Sequence, residues 1–301
     1  MNWSKSILLL LISSCIVAAC GNDANKPTDT LGSGNLAISV DETYRPIIEE
    51  EMKVFDSSYP DAHVTVNYKP ESECLKDFMD GKTKLVLVTR DLTKDEKLVL
   101  EQKKIVPTAI AIAKDAIAVI LNKESADTVL SMEAVEGILT GVYKTKYTVV
   151  FDNQGSSTVR YMLDSVLGGE KLGANVFAAK SNEEVIAYVA KNPDAIGFTG
   201  VSYVSDFSDP EGLAFISDVK VAALTNETDG ESYKPYQAYI AQKLYPLTRN
   251  LYYIKSENYP GLASGFGNFL AQERGQLIFK QARLFPLKTN IVIREASANP
   301  N

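Results

Sequence analysis

From Leu36 onward the chain alternates short apolar runs with stretches whose apolar residues recur at helical spacing. The segments 36–40 (LAISV), 64–68 (VTVNY), 85–88 (LVLV), 147–151 (YTVVF) and 195–199 (AIGFT) read as strands. LVLV is apolar at every position, the pattern of a strand buried on both faces. Between them, Thr43 to Tyr59 places Ile48, Met52, Phe55 and Tyr59 on one helical face, and Val159, Met162, Leu163, Val166 and Leu167 form a second stripe. Ser131 stands where it caps a helix carrying Val135, Ile138 and Leu139. Two strand-like runs, 108–113 (TAIAIA) and 117–121 (IAVIL), flank Lys114-Asp115-Ala116, and such a long extended segment passes naturally from one lobe to another. The runs 236–241 (YQAYIA), 251–254 (LYYI) and 291–294 (IVIR) also read as extended, and Leu262 to Ile278 carries a late helix that continues past Gly275. Alternation of this kind predicts an α/β architecture with mostly parallel sheets. No internal repeat interrupts it.

The N-terminus follows a different pattern. Lys5 precedes the short apolar stretch SILLLLISSCIV (6–17), too short for a permanent membrane span and the right length for a signal peptide. It ends in Val17-Ala18-Ala19-Cys20, which resembles the bacterial lipobox. Residues 1–19 then form a lipoprotein signal peptide and Cys20 carries the lipid; the other reading is an ordinary secretory signal with an incidental cysteine. Residues 20–35, polar and rich in Gly, Pro, Asp and Asn, read as a flexible tether that packs against nothing. Cys74 is the sole other cysteine of such a mature chain, so no internal disulfide is possible.

A net charge of −7 and the lack of a long Lys/Arg run argue against nucleic-acid binding. An anionic ligand stays open, because a buried anion site works through local donors and dipoles rather than through net charge. The segment 149–163 (VVFDNQGSSTVRYML) runs from a strand through Gly155-Ser156-Ser157-Thr158 into an amphipathic helix. Its hydroxyls and the unpaired first-turn N–H groups make an anion cradle, or else a plain helix cap. Thr43 and the pair Thr89-Arg90 also stand at strand ends, where open α/β sheets bind ligands. Catalysis has little support. The single histidine, His63, offers no Ser–His pair, no Cys/His metal cluster occurs, and no phosphate loop of the Gly-Lys-Ser/Thr kind is present. The chain is expected to be neither an enzyme nor a cofactor or metal carrier.

The order of these elements resembles the phosphate-binding proteins of ABC phosphate uptake systems, the PstS family. The resemblance rests on Thr43, VTRDLTKDE (88–96), KDAIAVILN (114–122), LSMEAVEGILTG (130–141), GSST (155–158), AIGFTG (195–200) and YPLTRNLYYI (245–254), and it covers roughly residues 36–287. It implies a two-lobed, type II periplasmic-binding-protein fold with the oxyanion in a central cleft. Lobe 1 would span 36–116 with 246–296, and lobe 2 would span 117–245. By the same resemblance Thr43, Thr89, Gly155, Ser156, Ser157 and Thr158 contact phosphate, with Arg90 or Arg160 supplying positive charge. The loop lacks the family's second Gly, and Asp152 stands where an Arg is frequent; Asp152 or Asp91 would accept the phosphate proton. The implied function is an extracytoplasmic, lipid-anchored monomer that hands phosphate to an ABC permease. Alternatives are a receptor for sulfate, molybdate or an organic acid, or a lipid-tethered sensor with no role in transport.

Overall fold

A computed structural model describes residues 28–144, 146–206 and 214–289. The signal segment 1–19, Cys20 and the IVIR run lie outside these residues. In chain order, strand β1 (Gly34–Asp41) leads through a 3-10 turn (Glu42–Tyr44) into helix α1 (Arg45–Ser58), then β2 (Ala62–Lys69), α2 (Glu71–Met79), β3 (Leu85–Val88) and α3 (Lys94–Gln102). Next come β4 (Thr108–Asn122), β5 (Val129–Leu130), α4 (Met132–Thr140), β6 (Thr148–Phe151) and α5 (Ser157–Tyr161), which widens into a π-turn at Met162–Val166. The chain continues through β7 (Val176–Ala178), α6 (Asn182–Lys191), β8 (Ala195–Gly200), α7 (Val201–Val204), β9 (Val219–Val221), β10 (Ala223–Thr225) and β11 (Ser232–Tyr233). Helix α8 (Gln237–Gln242), β12 (Thr248–Lys255), α9 (Leu262–Ala271), α10 (Glu273–Gln281) and β13 (Phe285–Pro286) complete it.

The strands lie in the order β2-β1-β3-β12-β4-β8-β6-β7. β1 pairs in parallel with β2 and β3, and β6 with β7 and β8. β12 runs antiparallel to both β3 and β4, and β4 antiparallel to β8, so the sheets are mixed rather than mostly parallel. The antiparallel strands are the ones that carry the chain between the two halves. β4 is one continuous strand of 15 residues, not two. Its first part pairs with β12 up to Ala116, and from Ile117 it pairs with β8. Lys114-Asp115-Ala116 continues the pleat because Asp115 is neutralised in place by Arg249, so the polar interruption needs no turn.

Both strand systems are covered on two faces. In β3, Leu85 and Leu87 join the main core, while Val86 and Val88 pack with Cys74, Leu75 and Phe78 of α2. In β4, Ile117, Val119 and Leu121 face the main core, and Ala118 and Ile120 face Val185 and Val189 of α6. Strict alternation buried on both sides is why these runs are apolar throughout. Ser131 caps α4 by accepting from Ala134 N–H at 3.0 Å, and Gly141 closes that helix in the left-handed region at φ 81°.

Three more elements differ from the pattern reading. The late helix is split at Gln272 into α9 and α10 rather than running on through Gly275. The run 236–241 is mostly helical: Tyr236, Tyr239 and Ile240 share one helical side, with Tyr239 packed on Tyr233 and Tyr236. The tether is docked over its described part, residues 28–35. Asp29 accepts from the Tyr259 hydroxyl at 2.9 Å and from Leu262 N–H at 3.0 Å, so it serves the first turn of α9. A Cβ at Gly265 would collide with the Leu31 backbone, which shows how closely the segment lies against α9. The composition signalled a polar segment but not its hydrogen-bond partners.

Candidate functional site

The 3-10 turn after β1, the loop before α5, the end of β3 and the middle of β12 meet around a group of buried polar side chains. Thr43, Ser156, Ser157 and Thr158 are each at most 1% exposed. Thr43 Oγ1 and Ser157 Oγ stand 3.5 Å apart, joining residues from the two strand systems. Gly155 has no left-handed backbone angle; a side chain there would strike Ser72 Oγ, and Ser72 N–H donates to the Gly155 carbonyl at 3.2 Å. Its role is close approach, not the tight turn its place in the loop suggests. Gly200, at the end of β8, is constrained likewise: a Cβ would lie 2.6 Å from Thr43 Cγ2.

Ser156 is the helix N-cap, its hydroxyl accepting from Val159 N–H at 3.2 Å, so one hydroxyl of the loop is spent on the helix. Ser157 and Thr158 are used differently. Arg249 Nη1 donates to Ser157 Oγ at 3.0 Å and to Thr158 Oγ1 at 3.4 Å. Each hydroxyl oxygen therefore accepts from the guanidinium and keeps its own proton for another acceptor. Arg249 is itself 6% exposed; its Nε pairs with Asp115 Oδ2 at 2.9 Å and its Nη2 has no partner. Burial opposes its charge, but the Tyr44, Asp115 and Asp41 groups around it more than offset that.

The guanidinium among these hydroxyls is thus Arg249, which the sequence reading did not single out. Arg90 is elsewhere. Both its terminal nitrogens reach Glu96, at 2.7 and 2.8 Å, and Glu96 closes the capping box of α3 with Thr93. That pairing engages Arg90 with the helix cap six residues on, which supplies a bidentate carboxylate. Arg160 does reach the site. Its Nε donates to Glu71 Oε2 at 2.5 Å and its Nη2 to Thr89 Oγ1 at 2.6 Å. Thr89 in turn donates through its N–H and its hydroxyl to Glu71 Oε1, at 2.7 and 2.6 Å.

Of the two acidic candidates, Asp91 pairs with Lys97 at 2.6 Å on the surface. Asp152 is fully buried, accepts from Asn182 Nδ2 at 3.2 Å and keeps one oxygen unpartnered. Burial raises its pKa, and the Ser156 hydroxyl works against that rise. The structure adds Asp41, at the end of β1. One oxygen accepts from Thr43 N–H at 3.1 Å; the other is buried without a partner. Burial, then the negative charge of Glu71, pushes its carboxyl up to about 7, while Arg249 and Ser157 pull the other way. For Glu71 burial acts upward too, but the Arg160 charge and the hydrogen bonds from Arg160 and Thr89 hold its carboxyl below the ordinary range.

Arg249, Asp115, Asp41 and Glu71 were the residues missed. One signal existed for Arg249: it is the single charge in the apolar run 245–254. Nothing local marked Glu71, whose partners lie 18 and 89 residues away. The arrangement is the complement of a small oxyanion: a buried guanidinium nitrogen, two hydroxyl donors and a carboxylate poised to accept a proton. Among the described residues no group of three His, Cys, Asp or Glu is placed to hold a metal, and no helix is long and apolar enough to cross a membrane. A surface depression of about 620 Å³ beside α4, lined by Ser131, Tyr143 and Leu167 among others, contains none of these groups.

The family model of a PBP superfamily domain matches residues 25–274. The phosphate-binding protein PstS of Staphylococcus epidermidis is 23% identical over 292 aligned positions, which cover 91% of this chain and 86% of the relative. Among solved structures, a phosphate ABC transporter substrate-binding protein with bound phosphate from Clostridium perfringens superposes with a TM-score of 0.72 at 23% identity, covering 85% of this chain and all of that one. An ABC-type phosphate transport receptor of Vibrio cholerae gives 0.64 at 18% identity, covering 84% and 100%. These superpositions establish the two-lobed α/β fold.

Proposed function

The chain belongs to the PBP superfamily, and we propose that it captures inorganic phosphate between its lobes and delivers it to an ABC importer from outside the cytoplasm. The observation that carries this reading is Arg249: a buried guanidinium with a nitrogen to spare, donating to the Ser157 and Thr158 hydroxyl oxygens. Thr43 completes the donors from the opposite side, next to Asp41 as acceptor. The relatives named for phosphate binding support the choice of anion. Asp41 favours phosphate over sulfate, because phosphate at neutral pH carries a proton to give and sulfate carries none.

The lobes proposed are residues 36–116 with 246–296 and residues 117–245, supported by the exchange of partners within β4. Attachment to a membrane through a lipid on Cys20 is likewise a proposal from the lipobox-like sequence. The deciding experiment is calorimetric titration of the mature protein with phosphate and with sulfate, repeated on Ser157→Ala, Thr158→Ala and Asp41→Asn. Loss of a charge-assisted hydrogen bond is worth roughly 1.5–3 kcal/mol, so each alanine variant weakens phosphate binding by about tenfold or more. Asp41→Asn narrows the preference for phosphate over sulfate. Wild-type affinity in both alanine variants would reduce the loop to a helix cap.

A further inference from the structure

Glu71 is 1% exposed and belongs to α2, in the strand system of β1 to β3, whereas Arg160 belongs to α5 on the other side of the cleft. At that junction the Glu71 carboxylate accepts from the Thr89 N–H, the Thr89 hydroxyl and Arg160, and Arg160 also donates to the Thr89 hydroxyl oxygen. This donor set, a backbone N–H, a hydroxyl and a guanidinium, is the kind that recognises an oxyanion. Glu71 supplies an anion to it from within the chain. The next residue, Ser72, donates its N–H to the Gly155 carbonyl at 3.2 Å, which brings the start of α2 against the loop that carries Ser156, Ser157 and Thr158.

We propose that Glu71 is a tethered carboxylate that competes with the bound oxyanion for Thr89 and Arg160 and so sets its affinity. The proposal rests on the phosphate reading above. Binding of phosphate to these two residues requires the Glu71 carboxylate to give up its hydrogen bonds from them, and the charge of Glu71 repels any anion that arrives beside it. Removing the charge therefore strengthens phosphate binding, whereas deleting a residue that contacts the ligand weakens it.

The test is calorimetric titration of inorganic phosphate into the wild-type protein, Glu71→Gln, Glu71→Asp and Glu71→Ala, each first shown by thermal unfolding to be folded. Glu71→Gln and Glu71→Ala are expected to bind phosphate at least about tenfold more tightly than wild type, the equivalent of one charge-assisted hydrogen bond. Glu71→Asp, which keeps the charge and withdraws it by one methylene, falls between. Millimolar acetate weakens phosphate binding to Glu71→Ala, by returning a free carboxylate to the same donors, and leaves wild type unaffected. If wild type binds phosphate and the Gln and Ala variants bind it equally or less well, Glu71 does not compete and the proposal is overturned while the phosphate reading stands. If neither wild type nor any variant binds phosphate, the phosphate reading fails and the proposal falls with it.

Discussion

The substitution Arg249→Met separates what this residue does for the fold from what it does for the ligand. In the native protein its Nε neutralises Asp115 at 2.9 Å, and Asp115 already has one buried oxygen without a partner. The variant leaves that carboxylate buried and wholly uncompensated. Breaking a buried ion pair by deleting one partner costs roughly 3–5 kcal/mol, a large part of the stability of an ordinary domain. Urea denaturation followed by circular dichroism should therefore show a marked fall in midpoint. Phosphate affinity should fall as well, because a buried charge and the organiser of Ser157 and Thr158 are both gone; one charge-assisted bond alone is worth roughly 1.5–3 kcal/mol, or about tenfold to a hundredfold. The double variant Arg249→Met, Asp115→Leu removes the orphaned charge, and an apolar replacement of a buried pair is often neutral or stabilising. It should recover most of the lost stability and none of the affinity. Wild-type affinity in the single variant, or restored affinity in the double one, would refute the assignment of Arg249 to the anion.

Three other outcomes are expected. Gly200→Ala drives a methyl group toward Thr43 and should weaken phosphate binding in calorimetry with little change in thermal stability, since the contact joins the end of β8 to the turn after β1. Glu51, buried in α1 with neither oxygen partnered, has a carboxyl pushed up to about 9 by burial alone. The native state then holds a proton that the unfolded chain releases above about pH 4.5, so this residue makes stability decline as pH rises from there through about 9, by up to roughly 3 kcal/mol at pH 7. Urea midpoints at pH 5 and pH 8 should differ less in Glu51→Gln than in wild type, and an equal difference would exclude Glu51 as the source. Cys20→Ser should abolish incorporation of a palmitate analogue and release the protein from membranes, while thermal unfolding of the domain stays unchanged; unaltered labelling would remove the proposed anchor.

Local pattern was enough to specify the class of fold and to mark one loop of the buried polar cluster. The strands at 36–40, 85–88 and 195–199 are legible because burial on one or two faces forces apolar periodicity, and that information is local. Gly155 to Thr158 was legible for the same reason: a loop between a strand and an amphipathic helix announces a helix start with hydroxyls at hand. What those hydroxyls do was not. Ser156 turns inward to cap the helix, and Ser157 and Thr158 turn to a guanidinium 92 and 91 residues further along. Arg90 and Arg160 looked equivalent in sequence; one is claimed by the cap of its own neighbouring helix, the other crosses to Glu71. Which charge faces the cleft depends on which opposite charge the fold brings nearest. Pairing energies act over a few ångströms, and the distances along the chain between Asp41, Glu71, Asp115, Arg160 and Arg249 are closed only when β4 and β12 carry the chain across and back.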